Sequence, residues 1–169
     1  PTQAAPPNAD QVRFTLSGVE IEGVTVYREE VTRTYFQPYL GREVSLSDIY
    51  AIATALTARY RNDGYILSQV LVPAQAVEDG RVRLRAVEGH VARVLIEGDV
   101  ILGRALPQRY ADAIERERPL RSATLERYLL LMNDLPGVMA WATLAASKTE
   151  QGASDLIIEF SQSRISGGL

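Results

Sequence analysis

LSDIYAIATALTARYRNDGYILSQVLVPAQAVEDGRVRLRAVEG, residues 46–89, decides the fold. Ile49, Ile52, Ala53, Leu56 and Tyr60 fall at i, i+3, i+4, i+7 and i+11, so one face of a helix is apolar. Ser47 is placed to cap that helix, and Asp48 suits the positive end of its dipole. Asn62-Asp63-Gly64 stops it. Residues 65–72, YILSQVLV, are rich in β-branched and aromatic side chains and are closed by Pro73, which predicts a strand. Glu78-Asp79-Gly80 carries turn chemistry. Over 81–88, Val82, Leu84 and Ala86 then alternate with Arg81, Arg83 and Arg85, as in a strand with one buried face. The order is helix, strand, loop, strand.

Upstream, residues 1–11 are rich in proline and lack periodicity, which predicts an extended linker or a disordered end. From Val12 a strand begins, with Phe14 and Leu16 in one phase and Val19 and Ile21 in the other, as a bulge at Gly18 would produce. Gly23 ends it. Residues 29–37 carry Val31 and Tyr35 at helical spacing and stop before Pro38, completing a βααββ unit. Downstream the order repeats. Residues 91–98 predict a strand, with Ala92, Val94 and Ile96 facing one way. Leu106, Tyr110 and Ile114 mark a helix with Pro107 in its first turn, and Ser122 caps another bearing Leu125, Tyr128, Leu129 and Met132. Residues 138–145 and 155–161 predict a closing hairpin. Gly23 and Gly98, Gly64 and Gly137, and Gly80 and Gly152 occupy matching places, which points to duplication. The expected architecture is α+β. It has two tandem modules over 12–90 and 91–162, each with a three-stranded mixed sheet and two helices on one face, preceded by the linker and followed by a tail over 163–169.

The chain has 169 residues, 46% hydrophobic and 23% charged, the composition of a globular protein rather than of a helical membrane protein. A formal charge of −3 argues against a general nucleic-acid binder, which needs clustered cations to neutralise phosphates. Cysteine is absent and histidine occurs once, as His90, which rules out disulfides, thiol chemistry and multi-histidine metal sites and leaves His90 as an expected joint between the modules. Glu78-Asp79 reads as a turn before it reads as a cation site, and no phosphate-binding glycine loop occurs. The expectation is therefore no catalysis, no metal, no cofactor and no nucleotide. Attention moves to surfaces. Arg81, Arg83 and Arg85, with Arg59 and Arg61, form either a basic patch or a solvated face. Trp141, with Met139 and Thr143 on its side of a strand, is either packed or an exposed anchor.

The segment 56–98 also carries an ordered set of motifs: a helix ending in Tyr60, Gly64-Tyr65, Pro73-Ala74-Gln75, Asp79-Gly80 and Glu88-Gly89. In this it resembles the first POTRA domain of two-partner secretion transporters, and the second unit continues the resemblance through IEG at 96–98, 125–138 and GASDLIIEF at 152–160. The resemblance implies two POTRA domains on the periplasmic face of the outer membrane, ahead of a transmembrane β-barrel absent from these 169 residues. It implies removal of a signal peptide, and a secreted partner protein held unfolded or extended, with no nucleic acid or nucleotide involved. It also implies that the second strand of each unit is a free edge. An extended segment could pair there, beside Tyr65, Ile66, Leu67, Gln69, Val70, Leu71, Pro73 and Gln75 in the first unit and Met139, Trp141 and Thr143 in the second. A POTRA module of an outer-membrane insertion machine, or a small α+β ligand-binding protein or hydrolase, are the alternatives.

Overall fold

The computed structural model describes residues 2–98 and 103–162. The chain divides into two compact units. The first comprises residues 2–63 and Ser68–Glu88, and the second comprises Gly64–Leu67 and the chain from Gly89 onward.

In the first unit the elements run β1 (Arg13–Thr15), β2 (Gly18–Glu22), α1 (Glu29–Arg33), β3 (Glu43–Ser45), α2 (Leu46–Asn62), β4 (Gln69–Leu71) and β5 (Arg81–Val87). The sheet order is β2-β5-β4, with β2 parallel and β4 antiparallel to the central β5. Val82, Leu84 and Ala86 of β5 and Val70 of β4 are buried on the face that meets Ile49, Ile52, Ala53, Leu56 and Tyr60 of α2. The second unit repeats this plan with β6 (Val91–Gly98), α3 (Ala105–Arg116), α4 (Ser122–Asn133), β7 (Val138–Ala146) and β8 (Ser154–Gln162). Its sheet order is β6-β8-β7, again parallel then antiparallel about the last strand. Its core joins Val91, Ile114, Leu120, Leu125, Met132, Leu156, Ile158 and Phe160. The equivalence reaches single residues. Gly23 and Gly98 leave their strands at φ 82 and 88, and a Cβ at either would collide with the carbonyl of Ala86 or Phe160 on the neighbouring central strand.

Several expectations change. There is no bulge at Gly18: the chain switches partners, β1 pairing with β3 and β2 with β5. The cap of α2 is Ser45, whose extended backbone ends β3. Its Oγ accepts the Asp48 N–H while the Asp48 carboxylate accepts the Ser45 N–H at 2.8 Å, so Ser47 lies inside the helix. Ser122 likewise is the first residue of α4, preceded by Arg121 at the cap position. The first helix is shorter than expected, and a 3-10 turn over Gln37–Tyr39 accommodates Pro38. The N-terminal segment is docked: Ala9 is fully buried in a 3-10 turn, Ala9–Gln11, and Gln3 bonds to Val72. The strand expected over 65–72 is confined to Gln69–Leu71, because Gly64–Leu67 belongs to the second unit, where the Tyr65 hydroxyl accepts from Arg121 at 2.9 Å. His90 is also in that unit. Its Nε2 lies 2.8 Å from Glu150 Oε1, and its carbonyl accepts the Ser154 N–H.

Candidate functional site: two sheet edges

A strand at a sheet edge turns every second residue's N–H and C=O away from its neighbour, and what becomes of those groups decides whether the edge can accept another chain. In β4 the outward residues are Val70 and its successor in phase, Val72. Thr57 of α2, itself buried, accepts the Val70 N–H through Oγ1 at 2.8 Å. Gln3 accepts the Val72 N–H at 2.7 Å and donates to the Val72 carbonyl at 3.2 Å. Both outward donors are thus taken. Pro73 ends the strand, lacking the hydrogen that Arg83 on β5 would otherwise meet. Gln75 supplies the replacement: its amide accepts the Arg83 N–H at 2.7 Å and donates to the Arg83 carbonyl at 2.7 Å. The Pro-x-Gln sequence is a chain break followed by a side-chain substitute for the missing strand residue.

This geometry redraws the expected first-unit site. Tyr65 is buried, and Ile66 and Leu67 precede β4 rather than lying in it. The Val70 side chain is buried, while Gln69, Leu71, Pro73 and Gln75 are half-buried around an edge whose donors are occupied. The arginines do not form one patch. Arg81, Arg83 and Arg85 are exposed on the sheet face opposite α2, and in the β2–β5 register Glu20 lies beside Arg83 and Glu22 beside Arg85. Arg59 and Arg61 lie at the end of α2, where Arg59 pairs with Asp63 at 2.7 Å. The motif's Glu88 is structural. It accepts from the Tyr60 hydroxyl at 2.8 Å, from the Thr25 N–H at 2.7 Å and hydroxyl, and from the Val26 N–H at 3.2 Å. Burial works to raise its pKa, but these hydrogen bonds outweigh it and hold the carboxyl below the ordinary range.

The second unit differs. On β6, Glu115 accepts the Val94 N–H at 2.5 Å, closing that edge at its middle. On β7, Asn133 accepts the Ala140 N–H and donates to its carbonyl, both at 2.9 Å. Ala140 therefore faces outward, and alternation gives Ala142 and Leu144 the same orientation while Trp141, Thr143 and Ala145 turn toward β8. Among the described residues, no side chain of the second unit caps the N–H groups of Ala142 or Leu144 as Asn133 caps Ala140. Met139, 55% exposed, and Trp141, 46% exposed, lie on the same strand, and Leu130 of α4 is 66% exposed. The Trp141 indole N–H donates to Glu159 on β8, which fixes the ring across the sheet. Thr143 is exposed in the row it shares with Ile157 and Leu95. Nothing in the local spacing of Thr57, Gln3, Gln75 or Asn133 marks them as strand substitutes. Their partners lie up to 69 residues away.

Among the described residues no cluster of three or more His, Cys, Asp or Glu is placed to hold a metal, and no helix is long and apolar enough to cross a membrane. A family model described as POTRA domain, ShlB-type, matches residues 14–89. That span takes in β2, α1, α2 and the β4–β5 hairpin, so over it the chain is similar to ShlB-type POTRA domains. A heme/hemopexin transporter protein, HuxB of Haemophilus influenzae (strain 86-028NP), is 27% identical over 158 residues, covering 91% of this chain. The chain spans only 28% of that relative's length. Among solved structures, CdiB from Escherichia coli superposes with TM-score 0.74 at 19% identity, over 94% of this chain and 29% of its own. POTRA1-3 of the periplasmic domain of Omp85 from Anabaena gives TM-score 0.70 at 20% identity, over 89% of this chain and 66% of its own. Both units therefore share the POTRA fold, the second as well as the first.

Proposed function

We propose that this chain is the periplasmic recognition region of an outer-membrane transporter of the two-partner secretion type. It holds a secreted protein in an extended, non-native state and delivers it to a β-barrel pore formed by the same polypeptide. The observation that carries the reading is the stretch of β7 with outward backbone groups at Ala142 and Leu144, bordered by exposed Met139 and Trp141. An unfolded segment carries the same unmet donors and acceptors along its whole length. It adds as a further strand without chemistry, cofactor or nucleotide, and its alternate side chains meet Trp141 and Thr143 on one face and the Leu130 side of α4 on the other. The β4 edge is the weaker place for such pairing, since Thr57 and Gln3 hold its donors. The β2 edge carries exposed Glu20 and Glu22, charges that disfavour apolar addition.

The test is a proline at Ala142, whose N–H faces outward. It leaves the β7–β8 ladder intact and weakens binding of the N-terminal part of the neighbouring secreted protein by about 1–2 kcal/mol. A proline at Val70 instead removes the bond to Thr57 and lowers the stability of the first unit. A folded Ala142→Pro variant with undiminished affinity would move the site elsewhere, the Arg81, Arg83 and Arg85 face being the next candidate.

A further inference from the structure

One side chain in the second unit stands where a partner strand would begin. Asn133 closes α4, and its amide meets both backbone groups of Ala140: Oδ1 accepts the N–H and Nδ2 donates to the carbonyl. The second Nδ2 hydrogen goes to the Leu129 carbonyl at 3.0 Å. Two acceptors therefore face Nδ2 and one donor faces Oδ1, so the partners themselves dictate the orientation of the amide. A strand adding to β7 needs one residue with both backbone groups at each outward station. At Ala140 that position is filled by the protein's own amide, and from Ala142 onward it is open.

We infer that Asn133 is a stop that ends strand addition at Ala142 and so fixes the register of the segment received; this rests on the strand-addition reading of β7. To pair with Ala140, an incoming segment must displace two hydrogen bonds and gains only two of the same kind, so extension past Ala142 brings no net bond. Register matters because side chains alternate with period two. A slip of one residue exchanges those facing Trp141 and Thr143 with those facing α4. The ligand class is an extended polypeptide segment with free N–H groups opposite Ala142 and Leu144. Asn133 acts through the Ala140 backbone, so it is a specificity-determining residue and not a contact for the segment's side chains.

The experiment uses the 169-residue chain and a synthetic decapeptide of alternating valine and threonine flanked by lysines, with amide exchange read residue by residue by NMR. In the parent chain the peptide slows exchange at Ala142 and Leu144 and leaves Ala140 unchanged. In Asn133→Ala the free chain exchanges at Ala140 about tenfold faster, peptide protection extends to Ala140, and affinity rises about three- to tenfold. Asn133→Ser, too short to reach both backbone atoms, gives the same extension and stands in should the alanine variant not fold. Protection at Ala142 and Leu144 that still stops short of Ala140 in both variants would overturn the stop alone. No protection at Ala142 or Leu144 in the parent chain would overturn the strand-addition reading and the stop with it.

Discussion

Replacing Glu88 with Gln keeps its shape and removes its charge, at a carboxylate that receives the Tyr60 hydroxyl, both donors of Thr25 and the Val26 N–H. Hydrogen bonds to a charged acceptor contribute about 1.5–3 kcal/mol against about 0.5–1.5 for neutral ones, so the two best formed, from Tyr60 and the Thr25 N–H, lose roughly 2 kcal/mol together. Glu88 is partly exposed, and solvent screening reduces this to about 1 kcal/mol. For a unit of this size that lowers the melting temperature by about 4–8 °C. The pH dependence carries the sign. Glu88 titrates below its ordinary value in the folded chain, so its contribution is complete above the unfolded carboxylate range and is lost as pH falls through the folded value. Calorimetry of parent and Glu88→Gln chains from neutral to acidic pH should therefore show a gap that closes on acidification. A gap absent at neutral pH, or undiminished in acid, would refute the assignment of Glu88 as a charged tie between α2 and the 25–26 loop.

Thr57→Val leaves the Val70 N–H buried without its acceptor and should cost about 1–3 kcal/mol in urea denaturation, with Thr57→Ser recovering most of it. Gly98→Ala forces a side chain onto a left-handed backbone and against the Phe160 carbonyl, an expected loss of about 1–3 kcal/mol. An unchanged melting temperature would contradict the backbone described for the end of β6.

The order of elements was legible because it rests on local signals: the helical spacing of Ile49 to Tyr60, the alternation around Arg83, and glycines at matching places in both halves; the strand order within each sheet came only with the family resemblance. The alternation of Met139, Trp141 and Thr143 also put these three residues on one face of β7, where the structure has them exposed. Misreadings arose where an apolar residue serves something other than its own element. Tyr65, Ile66 and Leu67 look like the start of a strand, yet Tyr65 is buried in the second unit against Arg121. The three-residue β3 is too short for periodicity to reveal, so the partner switch at Gly18 read as a bulge. The state of each edge was invisible for a different reason. Gln3, Thr57, Gln75 and Asn133 act by aiming a polar group at the backbone of another segment, from 7 to 69 residues away, and no spacing rule encodes that. Sequence alone made the two β edges look alike; they differ in length, three residues in β4 against nine in β7, and in these side chains.

The absence of cysteine from this chain permits the most direct measurement. In the transporter proposed above, a single cysteine at Thr143, exposed on β7, is introduced with any cysteine outside residues 1–169 replaced, and cysteines are walked along the proposed secreted partner for disulfide trapping. Strand addition at β7 predicts trapping at every second position of a short segment, and little trapping from a matched cysteine at Leu71 on β4. Trapping without that two-residue alternation, or trapping stronger from Leu71 than from Thr143, would contradict it.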